Sequence, residues 1–156
     1  MEEYLKPHRD LEAERQLKTL IQEIESLMND PGNNAAIENM LNEAARFVNA
    51  PDRILDLTVI EGYESWTDLD GLVGELTMKV LRLPAVTKES FVSIIQFIRE
   101  VLKTEETPDH VPLDYFMNFY REFFLLHFPD IADELFDKIF EDASLEELMD
   151  MAFPQP

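Results

Sequence analysis

Hydrophobic residues recur at three- and four-residue steps through almost the whole chain. Leu17, Leu20, Ile21, Ile24, Leu27 and Met28 share one helical face, which predicts a first helix over residues 10–29. Asp30-Pro31-Gly32-Asn33 is a turn signal. Ile37, Met40, Leu41, Ala44, Ala45 and Val48 predict a second helix ending before Pro51, and Pro51 suits the first turn of a short third one carrying Ile54 and Leu57. Residues 62–66 read as a loop. Leu69, Leu72, Val73, Leu76, Val80 and Leu83 predict a fourth helix stopped by Pro84.

The second half repeats the pattern. Thr87 is a candidate N-cap for a fifth helix with Phe91, Ile94, Ile95, Ile98, Val101 and Leu102 as its stripe. Residues 104–111 are a polar loop, and Pro112 suits the start of a sixth helix. Pro129 interrupts before a seventh carrying Ile131, Leu135, Ile139 and Phe140. Ser144 with Glu147 is a capping box for an eighth. The one β-leaning run, Leu57-Thr58-Val59-Ile60, has no partner strand. The reading is an all-α fold, an irregular bundle of about seven or eight helices with short loops. No linker or solenoid repeat divides it, so residues 1–156 are read as a single helical domain.

Charge changes the picture. The 156 residues hold 33 Asp+Glu against 13 Lys+Arg, a formal net charge of −20. That sign argues against direct nucleic-acid binding and against docking on an anionic membrane. It is also far beyond the roughly 2–8 charges that keep a small domain soluble. Residues 104–156 hold 14 acids and 2 bases, Arg121 and Lys138, and so carry −12 of the total. Residues 54–78 hold six acids and no base. The aromatics share the bias, because ten of 16 lie between Leu113 and Phe153. On the sixth helix Asp114, Asn118, Arg121 and Glu122 form a narrow polar stripe, and Tyr115 and Phe119 beside it are expected to be partly exposed.

Candidate chemistry is sparse. With no Cys there is no thiol nucleophile, disulfide or Cys-held metal. Gly71-Leu72-Val73-Gly74 lies in a helical pattern and is no phosphate loop. His8, His110 and His127 form no metal-spaced pair, and His127 faces the apolar side of its helix as a core or boundary residue. Asp68-Leu69-Asp70-Gly71 lacks the spacing of a calcium loop. Glu105/Glu106 and Glu146/Glu147 are adjacent, so they point about 100° apart on a helix and form no acid/base pair. The expectation is a chain that is not an enzyme and takes no cofactor or metal. The N-terminal Met1-Glu2-Glu3-Tyr4-Leu5-Lys6-Pro7 has no signal-peptide pattern, which with the absence of Cys fits the cytoplasm.

Glu106-Thr107-Pro108-Asp109-His110, followed by a helix, resembles the Glu-x-Pro-Asp-His stretch of the TorD/DmsD/NarJ family of helical cytoplasmic chaperones. That family escorts molybdenum-enzyme subunits, in some cases by binding their twin-arginine leaders. The resemblance implies that Asp109 and His110 lie at a peptide-binding site. It covers eight to twenty residues; the family's N-terminal Tyr/Leu-Phe pattern is missing and the chain is shorter than is usual there. Read from the residues alone, Asp109 is a turn residue and Pro112 a helix start.

Two functional expectations follow. The first is a non-enzymatic acidic binding protein that masks a basic surface of a protein partner, as an immunity protein or a nucleic-acid-mimicking inhibitor does. Its candidate contact residues are Asp56, Glu61, Glu64, Asp68 and Asp70, or Asp133, Asp137, Glu141 and Asp142, with Tyr63 and Trp66 as aromatic anchors or, for Trp66, a core lid. The second is the chaperone reading, centred on Asp109 and His110. It predicts that a folded Asp109→Ala/His110→Ala variant loses leader-peptide binding in a titration; unchanged binding overturns it.

Overall fold

The computed structural model describes residues 1–49 and 53–155. The chain is all-α: eight α-helices and five 3-10 turns, with no strand among the described residues, as the periodicity predicts. The helices are α1 (Leu11–Leu27), α2 (Asn34–Ala44), α3 (Leu57–Gly62), α4 (Leu69–Thr77), α5 (Lys88–Thr104), α6 (Leu113–His127), α7 (Ala132–Phe140) and α8 (Leu145–Ala152). They sort into two compact units. The N-terminal unit is His8–Lys79; the C-terminal unit is Val80–Pro156 together with Met1–Pro7.

In the N-terminal unit α1 packs on both α2 and α4. Asp10 caps α1 by accepting the Ala13 N–H at 3.0 Å. Leu17, Ile21 and Ile24 of α1 are fully buried, and Ile37, Ala44, Ile60, Leu72, Val73 and Leu76 complete the core. Glu14 is buried as well, and the Arg9 guanidinium meets its carboxylate through two bonds of 2.9 and 2.7 Å. A carboxylate withdrawn from water needs such a bidentate partner.

Three elements of this unit differ from the sequence pattern. α2 ends at Ala44 and passes through a 3-10 turn, Ala45–Phe47, into extended backbone at Val48, short of the expected end before Pro51. α4 ends at Thr77 instead of running on to Leu83. Its last carbonyls are taken by donors from earlier in the chain: Asn49 gives its backbone N–H to Leu76 at 3.1 Å and its amide to Thr77 at 2.6 Å, and Arg53 donates to Glu75. Met78 then turns into extended backbone. The third helix starts at Leu57, with Asp56 accepting the Val59 N–H at 2.9 Å. Ile54 precedes it and is exposed, and the expected role of Pro51 lies outside the described residues. The β-leaning run is helical because Asp56 caps it and Ile60 is buried from that helix.

The C-terminal unit is organised by α6. Phe116, Tyr120 and Phe124 are fully buried. Phe91 of α5 packs edge-on against Phe124, Phe128 and Phe153, with centroids 6.5, 5.7 and 5.5 Å away. Phe97 does the same to Phe116 and Tyr120. The Tyr120 hydroxyl donates to the Leu5 carbonyl at 2.8 Å and the Lys6 ammonium lies over the Phe97 ring, which holds the first residues of the chain in this unit. Thr87 and Ser144 cap α5 and α8 by accepting the N–H groups of Ser90 and Glu147.

Tyr115 and Phe119 are buried, contrary to expectation. Beyond the first residue, Leu113, the exposed arc of α6 is held by Asp114, Asn118, Arg121 and Leu125, which at about 100° per residue span only about 60°. His127 is satisfied on both nitrogens: Nδ1 donates to the Phe123 carbonyl at 2.9 Å and Nε2 accepts the Leu83 N–H at 2.9 Å. It is a boundary residue, half-buried, as the helix pattern implies.

α5 stops at Glu105, whose φ of 59° is left-handed while its N–H bonds the Val101 carbonyl at 2.7 Å. Glycine takes this C-terminal position without the Cβ penalty. Glu105→Gly is therefore expected to stabilise the protein by about 0.5–1 kcal/mol, read as a higher urea midpoint at unchanged slope.

Candidate functional site

The acids singled out by sequence fall into three surroundings. The first is the turn between α3 and α4. Tyr63 is buried, so it is not a surface anchor; its hydroxyl donates to the Glu25 carboxylate of α1 at 2.9 Å. Its carbonyl accepts the N–H groups of both Trp66 and Thr67, each at 3.0 Å. Asp68 closes the other side of the turn by capping α4 through the Gly71 N–H at 2.7 Å. Gly71 fits because a Cβ there would stand 2.0 Å from the Thr67 hydroxyl. Trp66, pinned between these fixed ends, is 57% exposed. It is thus an open side chain and not a core lid. Glu61, Glu64 and Asp68 are exposed, Asp56 is exposed at its cap, and Asp70 is paired with Lys18 at 2.8 Å.

The second surrounding is α7. Asp133, Asp137 and Glu141 are exposed, and at about 100° per residue they share one arc of about 100° with Phe140. Phe140 was assigned to the apolar stripe of α7, yet it is 48% exposed. The helical wheel holds the reason, because Phe140 lies seven residues after Asp133, two turns on along the acidic side, while Leu135 and Ile139 take the buried side. Both cations of this region are engaged: Arg121 with Asp133 at 3.6 Å and Lys138 with Glu147 at 3.0 Å. The Lys138 ammonium is held protonated above its ordinary range by that hydrogen bond and by the charges of Glu147, Glu141 and Glu134. Asp142 is exposed and left-handed, φ 66°. The turn it occupies is tied to α5 by Arg99, which donates to the Ala143 and Ile139 carbonyls at 2.6 and 3.3 Å. Nothing in the sequence pattern singled out Arg99 or Glu25, because each works through a partner far along the chain.

The third surrounding is the loop between α5 and α6. Asp109 and His110 are exposed, and both are left-handed with φ of 52° and 54°. Thr107 braces the loop by donating to the Val111 carbonyl at 2.5 Å, and Val111 is buried. The structure does not merge these three surroundings into one constellation within either unit.

Two clefts have described linings. One of about 490 Å³ in the C-terminal unit is bounded by Glu2, Glu3, Glu89, Ser90 and Ser93, and Ser90 is already engaged by the α5 cap. One of about 240 Å³ in the N-terminal unit is bounded by Asp10, Glu12, Gln16, Arg46, Phe47 and Asn49. Neither lining contains a histidine. Among the described residues no group of three or more His, Asp or Glu side chains is arranged to hold a metal ion, and no helix is long and apolar enough to cross a membrane. Compared with family models, curated proteins and solved structures, the chain matches none.

Burial, the Glu25 hydrogen bond and the charges of Glu25, Glu64 and Asp68 push the Tyr63 phenol up to about 12. A folded value above the unfolded one means that the neutral phenol stabilises the fold. That contribution is complete below about pH 10 and is lost as pH rises toward about 12. In an alkaline titration followed by phenolate absorbance, Tyr63→Phe should remove one phenol from the fraction that ionises late. An unchanged late fraction would contradict the placement of Tyr63.

Proposed function

We propose that the protein is a non-enzymatic binding protein that uses its acidic α7 face to cover a basic surface of a protein partner. The observation that carries this reading is Phe140, half-exposed among Asp133, Asp137 and Glu141, with the nearby cations Arg121 and Lys138 engaged in ion pairs. An apolar ring inside a charged face supplies the anchor that charge alone lacks. The carboxylates supply fast, steered association with a cationic surface. The same charge repels nucleic acid as a ligand and lets the protein compete with nucleic acid for its partner, as an immunity protein or an inhibitor of nuclease type does. A cytoplasmic setting belongs to the same proposal.

The loop at Asp109 and His110 favours a second reading, leader-peptide binding. Left-handed non-glycine residues cost about 1–3 kcal/mol each and persist only where something over-determines them. Two occur here in succession, both exposed.

Capture from the native host across a salt series tests the first reading. One basic protein should be retained, with association slowing as salt rises. Asp137→Lys/Glu141→Lys should lower the association rate about tenfold or more. Phe140→Ala should weaken binding by about 1–2 kcal/mol, mainly through faster dissociation. Retention that ignores both salt and these substitutions overturns the proposal.

A further inference from the structure

We infer that the Trp66 turn is a seat for an arginine side chain of a basic partner. The inference rests on the reading of the protein as an acidic binding protein, and it concerns a surface of the N-terminal unit that is separate in the chain from the α7 face.

Four observations converge on it. Trp66 is the only tryptophan, and it is 57% exposed. Among the described residues its ring pairs with no other aromatic ring and its indole N–H has no hydrogen-bond partner, and more than half of the side chain is in water. Its backbone is fixed on both sides, by the Tyr63 carbonyl before it and the Asp68 cap after it. Exposed Glu64 and Asp68 flank it in the chain, and the Asp68 carboxylate is held at this turn by the Gly71 N–H at 2.7 Å.

The chemistry of the occupant follows from these features. An apolar partner would strip water from Glu64 and Asp68 without pairing them, which is costly. A second copy of the chain would bring the same carboxylates against one another on a protein of net charge −20. A cation suits the ring and the carboxylates together. Arginine suits them better than lysine, because a planar guanidinium stacks on the indole while its fork of N–H donors still reaches carboxylates at the rim. Because the turn is pinned before the partner arrives, little ordering entropy is lost on docking.

The single tryptophan makes the site its own reporter. The probes are the peptide Gly-Arg-Gly-Arg-Gly and its lysine twin, titrated at low and at moderate salt with Trp66 emission and calorimetry read in parallel. The arginine peptide should change the emission saturably and bind about threefold or more tighter than the lysine twin. Trp66→Ala should weaken the arginine peptide about threefold to fivefold, and Trp66→Phe by less. The exposed side chain can be replaced without opening the core. Binding of the arginine peptide with unchanged emission, and with equal affinity for Trp66→Ala, overturns the seat and leaves the α7 reading standing. Absence of binding by either peptide at low salt also overturns the seat. If the peptide results hold while partner capture ignores the α7 substitutions, the function proposed for α7 fails and the seat stands.

Discussion

In a chain with 33 carboxylates and 13 basic side chains, most carboxylates must stay in water, and a buried one such as Glu14 needs its own guanidinium. Three ion pairs draw the cation inward, whereas Arg9–Glu14 buries the carboxylate instead. Arg53 is far more buried than Glu75, and the same holds for Lys6 against Glu3 and for Lys138 against Glu147. Arg99 goes further: it meets no carboxylate, donates to two backbone carbonyls, and keeps a buried Nε without a partner among the described residues. Exposed ion pairs of this kind add little stability one by one, about 0–1 kcal/mol. Their larger effect is compositional. Each cation drawn inward or paired leaves the remaining surface more uniformly negative, so the device that tethers α7 also sets the sign of the face it presents.

Much of the fold could be read along the chain because its signals are local. Thr87 and Ser144 cap the helices they are expected to cap, and the buried stripes of α1 and α5 follow the three-and-four spacing. What could not be read depends on distant partners. The end of α4 is fixed by Asn49 and Arg53, more than twenty residues away. The seven-residue segment that begins the chain belongs with α5–α8, through bonds such as that of Tyr120 to Leu5 across 115 positions. The capping box at Ser144 is half made, because Glu147 turns its carboxylate to Lys138.

The candidate surfaces were legible in the same uneven way. Charge runs located both acidic stretches, since composition survives folding. Burial of individual aromatics did not follow from the wheel of one helix, because neighbouring elements decide it. Tyr63, Tyr115 and Phe119 go inward, while Trp66 and Phe140 stay outside. The outcome is one large aromatic side chain left in water on each of two acidic surfaces, each on its own unit. Scattered exposed apolar residues are ordinary on any protein; an aromatic set among several carboxylates is a more selective arrangement.

The histidine at the end of α6 also stands in for missing secondary structure. Residues 80–86 have no helical hydrogen bonds of their own, and the amide of Leu83 finds its acceptor on His127, 44 positions later. That bond closes a long loop of chain, and the ring that accepts it is oriented by the carbonyl of Phe123 one turn back on α6. The stretch that follows α4 is thus held by a side chain of its own C-terminal unit and not by a helix or strand of its own.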